Sequence, residues 1–103
     1  MKTNQYTIYN TEEYDEWLAE QPLKTQLQVL DRISHIREDG HFGDHKDVED
    51  GVWELKWRNG RRVYYAYIQK ENILLLLGGN KNGQSKDIKK AKKILSDQVT
   101  FET

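Results

Sequence analysis

The sequence of 103 residues contains no cysteine, a single proline and no long apolar run. Without cysteine the chain can form no disulfide framework, thiolate zinc site or cysteine nucleophile, which fits a reducing compartment. Its longest aliphatic run, Ile73 to Leu77, is far too short to cross a bilayer, and residues 1–17 hold no apolar signal region. We therefore expect neither secretion nor membrane insertion, and the cytoplasm is the expected location. A chain of this size is expected to form one domain, residues 1–103.

Positive charge is concentrated in the second half of the chain. Residues 51–95 contain eleven Lys or Arg and three Asp or Glu, a balance of +8. Residues 1–50 contain five Lys or Arg and twelve Asp or Glu, a balance of −7. The formal net charge of −1 therefore conceals a strongly polarised molecule, and its basic part suits a polyanionic partner.

Helical patterns occupy the first half of the chain, after a short strand predicted at residues 5–9. Thr11 is a predicted N-cap of a first helix that ends near Pro22. In the second helix, apolar residues recur at three- and four-residue spacing up to Gly40, which predicts a buried stripe. That stripe consists of Leu23, Leu27, Leu30, Ile33 and Ile36. The two helices are expected to form an antiparallel hairpin.

Three strand-like runs follow a polar loop predicted at residues 41–50, and they cover residues 52–58, 61–69 and 73–77. In the first run apolar and charged residues alternate, which is typical of a sheet with one buried and one solvated face. By this alternation Glu54, Lys56 and Arg58 share a face. Asn59-Gly60 predicts a type I′ hairpin turn, because both central positions of that turn need positive φ.

The third strand and the last helix complete the predicted order β-α-α-β-β-β-α. The strand is apolar at every position, so we expect it to be central and covered on both faces. Gly78-Gly79 is predicted to end it. Ser85 is the predicted cap of a helix whose lysines lie in water. The inward positions of this helix are Ile88, Ala91, Ile94 and Leu95.

Four segments resemble sequence motifs of a known toxin superfamily. They read Gly43-Asp44-His45-Lys46, Glu54-Leu55-Lys56, Arg62-Val63-Tyr64-Tyr65 and, at residues 78–88, GGNKNGQSKDI. The resemblance is to the RelE/ParE superfamily of bacterial toxins, in its HigB-like or addiction module killer protein branch. It implies an α+β, RelE-like fold with a small, mainly antiparallel twisted sheet packed against a helical hairpin and a C-terminal helix. Lys56 departs from the usual arginine, keeping the charge but losing the bidentate fork.

The same resemblance implies a toxin held inactive by a co-expressed antitoxin, in a hetero-oligomeric complex that binds its own operator DNA through the antitoxin. Most branches cleave mRNA on the ribosome without a metal or another cofactor. Attack by a ribose 2′-hydroxyl on the adjacent phosphate needs a base, an acid and cations. Arg62 is implied as the stabiliser of the transition state, Lys81 as the phosphate-binding or proton-transferring group, and Lys56 as a third catalytic cation. Implied RNA contacts are Lys46, Arg58, Tyr64, Gln84 and Lys86.

Several of these residues also have structural interpretations. Lys56 and Arg58 fit a solvated strand face, and Tyr64 fits the core at least as well as it fits stacking on a base. Gln84 suits either the loop or a base edge. Glu54 could be a general base, but a cross-strand salt bridge to Arg62 is the favoured interpretation.

Two alternatives to a ribonuclease stay open. One is a ParE-type toxin that inhibits DNA gyrase by binding, and the other is an inactive module that only binds its antitoxin. The motif at residues 78–88 favours the ribonuclease. His41 and His45 lie four residues apart, yet the neighbouring glycines indicate a loop with no obvious third ligand, so we expect no metal site.

Overall fold

The computed structural model describes residues 6–69 and 71–102. In chain order the elements are β1 (Thr7–Asn10), α1 (Glu12–Ala19), α2 (Leu23–Asp39), β2 (His45–Asp47), β3 (Trp53–Lys56), β4 (Arg61–Gln69), β5 (Asn72–Asn80) and α3 (Gln84–Glu102). One turn of 3₁₀ helix, Lys81–Gly83, joins β5 to α3. Gln5, the first residue of the predicted opening strand, lies outside the described residues. No helix in the described ranges is both long and apolar enough to span a membrane.

The strands form one sheet in the order β1-β5-β4-β3-β2. β1 runs parallel to β5, and the other neighbours are antiparallel. α1 and α2 pack on one face and α3 packs on the other, so the α+β fold is confirmed. β5 supplies side chains to both helical layers. Ile73 and Leu75 face α1 and α2, whereas Leu74 and Leu76 face α3. Its coverage on both faces explains why it is apolar at every position.

Three predicted helix boundaries, at Thr11, Pro22 and Gly40, are confirmed. The Thr11 hydroxyl accepts a hydrogen bond from the backbone N–H of Tyr14 at 3.0 Å and so caps α1. The same hydroxyl donates to the carbonyl of Leu76 at 2.7 Å, which ties the start of α1 to the sheet. Pro22 immediately precedes α2. Gly40, with a φ of 69°, ends it in the left-handed conformation.

The buried face of α2 differs from the predicted one. Leu23, Leu27 and Leu30 are 68%, 58% and 48% exposed, so this part of the predicted stripe is wrong. Ile33 and Ile36 are buried as predicted. They are joined in the core by Thr25 and Val29. Both sets recur at helical spacing, and periodicity alone cannot tell which of two faces meets the sheet.

The segment predicted as a loop at residues 41–50 contains the edge strand β2. His45, Lys46 and Asp47 pair antiparallel with Leu55, Glu54 and Trp53. A three-residue polar edge strand is held by backbone hydrogen bonds and needs no apolar alternation, so the sequence carries no signal for it. The turn beyond it is tight, with positive φ at both Glu49 and Asp50.

The hairpin between β3 and β4 is confirmed, but its turn type is not. Positive φ occurs at Gly60 and not at Asn59, which excludes a type I′ turn. The N–H of Gly60 donates to the carbonyl of Trp57 at 3.0 Å, and the N–H of Trp57 donates to that of Arg61 at 3.0 Å. This pattern is a type I turn followed by a glycine bulge.

The Gly78-Gly79 pair lies inside β5 and does not end it, because the strand continues to Asn80. A Cβ at Gly78 would lie 2.1 Å from Cδ2 of Trp17, so glycine lets α1 approach the sheet closely. A Cβ at Gly79 would lie 2.1 Å from Oδ2 of Asp87 on the other face.

The predicted cap of the last helix is also wrong, since Ser85 lies within α3. The Asn80 side chain caps the preceding 3₁₀ turn instead, by accepting from the N–H of Asn82 at 3.0 Å. The predicted inward face of α3 is confirmed. Ala91 and Ile94 are buried, and Ile88 and Leu95 pack against them.

Candidate nucleic-acid interface

A cleft of about 610 Å³ opens where the β3–β4 hairpin meets the connection from β5 to α3. Its walls carry five basic side chains, Arg32, Lys56, Arg58, Arg62 and Lys81, and we refer to it as the cation cleft. Asp44 is the one carboxylate residue among its lining residues. Such a concentration of cations around an open space is suited to a phosphate-bearing ligand.

Strand register brings two of the predicted catalytic residues together. Lys56 on β3 lies opposite Arg62 on β4, and Arg62 lies opposite Gly79 on β5. Side chains of directly opposed residues project from the same face of a sheet. Lys56 and Arg62 therefore point to the same side, and Gly79 leaves space beside them.

Lys81 approaches the cleft from the other wall. Its backbone N–H donates to the carbonyl of Gly60 at 2.8 Å, which fixes the 3₁₀ turn against the hairpin. The Cγ and Cδ atoms of Lys81 lie 3.5 Å from the position that a Cβ on Gly60 would occupy. The small residue in the turn thus lets the stem of an exposed lysine lie across the hairpin.

Arg62 is balanced by a buried carboxylate. Its side chain is 11% exposed, and its Nε lies 3.5 Å from Oε2 of Glu54, which is fully buried. The same oxygen accepts a hydrogen bond from Nε2 of Gln84 at 2.7 Å. The predicted salt bridge of Glu54 with Arg62 is confirmed, and the Gln84 amide serves the local structure.

Tyr64 cannot stack on a base in this fold, and that prediction is wrong. The side chain is fully buried beneath α3, among Val52, Leu76 and Ala91. Burial, followed by the neighbouring Glu54 carboxylate, raises the pKa of the Tyr64 hydroxyl. Its alternative assignment to the core is the one that the structure supports.

Two further predicted RNA contacts lie outside the cation cleft. Lys46 is exposed on the edge strand β2, in the same cross-strand row as Glu54 and Tyr64. Lys86 is exposed in the first turn of α3. Both stay predictions, as phosphate contacts beside the cleft. Arg58 is exposed and lines the cleft.

Arg32 is a cleft residue that the sequence analysis missed. Its guanidinium donates to the carbonyls of Phe42, Asp44 and Lys56, the first at 2.9 Å, and lies 4.5 Å from the ring centroid of Trp57. Burial lowers its pKa, against the opposing effect of Asp44. Arg32 lies three residues after Val29 and four residues before Ile36, both of which are buried. A correct prediction of the buried face of α2 would therefore have placed Arg32 beside it.

The two histidines considered as a metal pair have different surroundings. Nδ1 of His45 lies 2.9 Å from the hydroxyl of Tyr65, and its ring stacks on those of Phe42 and Trp53 at 5.2 and 5.4 Å. His41 lines a separate groove beside α2. Across residues 6–69 and 71–102, no group of three or more His, Asp or Glu side chains is arranged to hold a metal ion.

Comparison with known proteins extends these observations. The family model described as Phage derived protein Gp49-like (DUF891) matches residues 16–98. An uncharacterized protein of Haemophilus influenzae is 38% identical over 89 residues, which cover 82% of this chain and 88% of that protein.

Solved structures share the fold at low identity. An arginine-substituted Escherichia coli toxin RelE in the free state has a TM-score of 0.70 at 16% identity, covering 86% of this chain and 96% of that one. The toxin–antitoxin complex RelBE2 of Mycobacterium tuberculosis has a TM-score of 0.62 at 15% identity, covering 77% and 94%. The RelE-like fold expected from the sequence is confirmed. By its match over residues 16–98, the chain belongs to the Gp49-like family, a family of RelE-like toxins.

Proposed function

We propose that this protein is the toxin of a bacterial toxin–antitoxin module and acts as an endoribonuclease that cleaves mRNA on the ribosome. The observation that carries the proposal is the convergence of Lys56, Arg62 and Lys81 on one cleft, from three separate segments of the chain. These are the residues that the family resemblance implies as catalytic. Cleavage of translated mRNA would inhibit protein synthesis and arrest growth.

The reaction needs no resident metal in this proposal. A ribose 2′-hydroxyl attacks the adjacent phosphate, the 5′-oxygen leaves, and the phosphate carries extra negative charge in the transition state. Arg62 stabilises that charge from the wall of the cleft, where its partial burial strengthens electrostatic interactions. Lys81, whose side chain is exposed, binds the phosphate or transfers a proton. Lys56 supplies a third positive charge.

RNA outside the reacting phosphate meets further cations. Arg58 lines the same cleft, while Lys46 and Lys86 are exposed beside it on β2 and α3. Contacts of this kind position a strand without reading its sequence. Removing one of them should weaken binding and make it less sensitive to salt.

The expected partner is a cognate antitoxin. Two of the structural neighbours are RelBE toxin–antitoxin complexes, which supports a partner of this class. An acidic antitoxin segment lying over the cation cleft would neutralise the toxin by occlusion, because opposite charges would meet there. Binding of the complex to its operator would then occur through the antitoxin.

The proposal is tested by expressing the chain from a tightly regulated promoter in bacteria, following growth, and mapping the 5′ ends of mRNA. Lys81→Ala is the informative variant, because an exposed lysine can be truncated without disturbing the core. Lys24→Ala, at an exposed position on α2 outside the cleft, is the matched control.

Cuts within translated codons that disappear in Lys81→Ala and persist in Lys24→Ala would support the proposal. Growth arrest with intact mRNA would contradict it and indicate a ParE-type action on gyrase, which a supercoiling assay would then detect. A wild-type chain that arrests nothing at any expression level would contradict it as well, and would leave an inactive antitoxin-binding module.

A further inference from the structure

Glu54 is the one carboxylate that is fully buried among the described residues. It lies on β3 between two apolar neighbours in sequence, Trp53 and Leu55. A buried charge is unfavourable unless it is paired and hydrogen-bonded, so its position calls for an explanation. The buried hydroxyl of Tyr64 is its neighbour beneath α3.

The contacts of Glu54 join the two walls of the cation cleft. Its Oε2 is 3.5 Å from Nε of Arg62, which lies on the wall formed by the β3–β4 hairpin. The same oxygen accepts a hydrogen bond from Nε2 of Gln84 at 2.7 Å. Gln84 is the first residue of α3 and comes three residues after Lys81. One carboxylate oxygen therefore links the strand that carries Arg62 to the connection that carries Lys81.

The orientation of Arg62 follows from this arrangement. The carboxylate faces the Nε edge of the guanidinium in an ion pair at 3.5 Å, and the buried Nε makes no hydrogen bond. Within the described ranges no hydrogen bond or ion pair uses Nη1 or Nη2 of Arg62. Arg62 also lines the cleft. The two terminal nitrogens, which form the fork that matches a phosphate, are thus left for a ligand.

We propose that Glu54 is a positioning residue of the cation cleft. Its carboxylate fixes Arg62 through Nε and, through Gln84, holds the start of α3 so that Lys81 keeps a constant position relative to Arg62. Catalysis depends on such pre-arranged charges, because small displacements of reacting groups lower the rate. The catalytic part of this inference rests on the proposed ribonuclease function, whereas the contact itself can be tested without it.

A direct test measures hydrogen exchange at arginine Nε–H groups by NMR on the full-length wild-type chain. The Nε–H of Arg62 should exchange slowly, and that of the exposed Arg58, in the same cleft, should exchange fast. Glu54→Gln keeps the shape of the side chain and removes its charge, so it should narrow this difference, because Arg62 loses the ion pair that holds its Nε buried beside β3. Gln84→Ala is the matched control, because it leaves the ion pair with Arg62 intact and should keep the slow exchange.

The same variants are then compared in cleavage of ribosome-bound mRNA, at a temperature where circular dichroism shows each to be folded. Loss of a residue that orients a catalytic group typically lowers activity about 10- to 100-fold, and we expect Glu54→Gln to lower kcat by that factor with KM within about twofold. A folded Glu54→Gln variant with unchanged kcat would overturn the inference. So would an Arg62 Nε–H that exchanges as fast as that of Arg58 in the wild type.

The two proposals fail in distinguishable ways. A wild-type chain that cleaves no mRNA but shows slow exchange at Arg62 contradicts the proposed function and upholds the contact made by Glu54. If Glu54→Gln does not fold, the wild-type comparison of Arg62 with Arg58 still tests the contact of Glu54 with Arg62, because it requires no substitution.

Discussion

The sheet face beneath α1 and α2 is apolar wherever it is buried, whereas the face beneath α3 changes from apolar to charged along its length. On the first face Leu55, Val63 and Leu75 meet α1 and α2. On the second, Ala66 and Leu76 meet α3, but the adjoining rows carry the charged side chains of Glu54, Lys56 and Arg62. The cation cleft lies at this charged end.

The difference shows how one sheet supports both a packed core and a solvent-open group of charged side chains that forms the candidate site. The face beneath α1 and α2 needs only apolar side chains of complementary shape, and any well-packed apolar set would stabilise it. At the charged end α3 leaves strand positions open to solvent, and a cation held there in a nearly buried position needs a compensating carboxylate. Glu54 meets that need for Arg62.

The largest expected loss of stability is at the charged end. Arg62→Ala leaves Glu54 buried without its cation and should lower the free energy of unfolding by about 3–5 kcal/mol. Lys93→Ala breaks an exposed pair with Asp97 at 3.6 Å and should cost no more than about 1 kcal/mol. Urea denaturation of the two variants makes the comparison. Equal losses would contradict the claim that the pair of Glu54 with Arg62 is effectively buried.

The core beneath α1 and α2 should lose stability when a substitution leaves a cavity in it. Ile33→Ala removes a buried side chain from α2 and should cost about 2–5 kcal/mol. Leu27→Ala, on the exposed face of the same helix, should stay within about 0.5 kcal/mol of wild type. Thermal or urea unfolding would measure both. A large loss in Leu27→Ala would mean that the buried face of α2 is wrongly assigned.

Adjacent glycines in β5 allow the two faces to be compared directly. Gly78→Ala forces a methyl group into the ring of Trp17 and should cost about 1–3 kcal/mol through overpacking. Gly79→Ala meets the Asp87 carboxylate, whose flexible end can rotate away, and should cost less. Unfolding curves of the two variants decide the order. A larger loss in Gly79→Ala would contradict the view that the α3 face is the more adaptable.

The smallest effect is a pH dependence at Asp87. Burial raises the pKa of its carboxyl above the ordinary value of 3.8, against the opposing influence of Lys90 and Lys86. The folded state therefore holds this proton more tightly than the unfolded state does. Its stabilising effect is present below the unfolded pKa and is lost as pH rises through the raised folded pKa.

Asp87→Asn should accordingly gain stability relative to wild type between pH 3 and neutrality. Urea midpoints measured at a series of pH values test this, with Asp97→Asn as a matched exposed control on the same helix. A difference between Asp87→Asn and wild type that does not vary with pH would contradict the raised pKa.

Much of this fold could be predicted from the sequence, because its main elements carry local signals. The Thr11 cap, the hairpin at Asn59-Gly60 and the apolar β5 each depend on nearby residues. The buried face of α2 and the strand β2 do not. The exposed leucines match helical periodicity as well as the buried isoleucines do, and β2 exists only through its pairing with β3.

The residues of the candidate site were likewise predicted only where a local sequence signal exists. Family motifs indicated Lys56, Arg62 and Lys81, and the structure brings these three to one cleft. The family resemblance also implied Tyr64 as an RNA contact, but it could not indicate that α3 covers Tyr64. Arg32 was missed because its role depends on tertiary contacts with the loop and with Trp57.

The central claim is that Arg62, held in the cation cleft, catalyses the cleavage of mRNA on the ribosome. The most direct measurement is the rate at which purified wild-type and Arg62→Lys proteins cut an mRNA bound to reconstituted ribosomes. Lysine keeps a positive charge near Glu54 but cannot present the guanidinium fork. We predict cuts by the wild type only in ribosome-bound mRNA, and a rate about 10²- to 10³-fold lower for Arg62→Lys. Cleavage by Arg62→Lys at the wild-type rate would contradict the account.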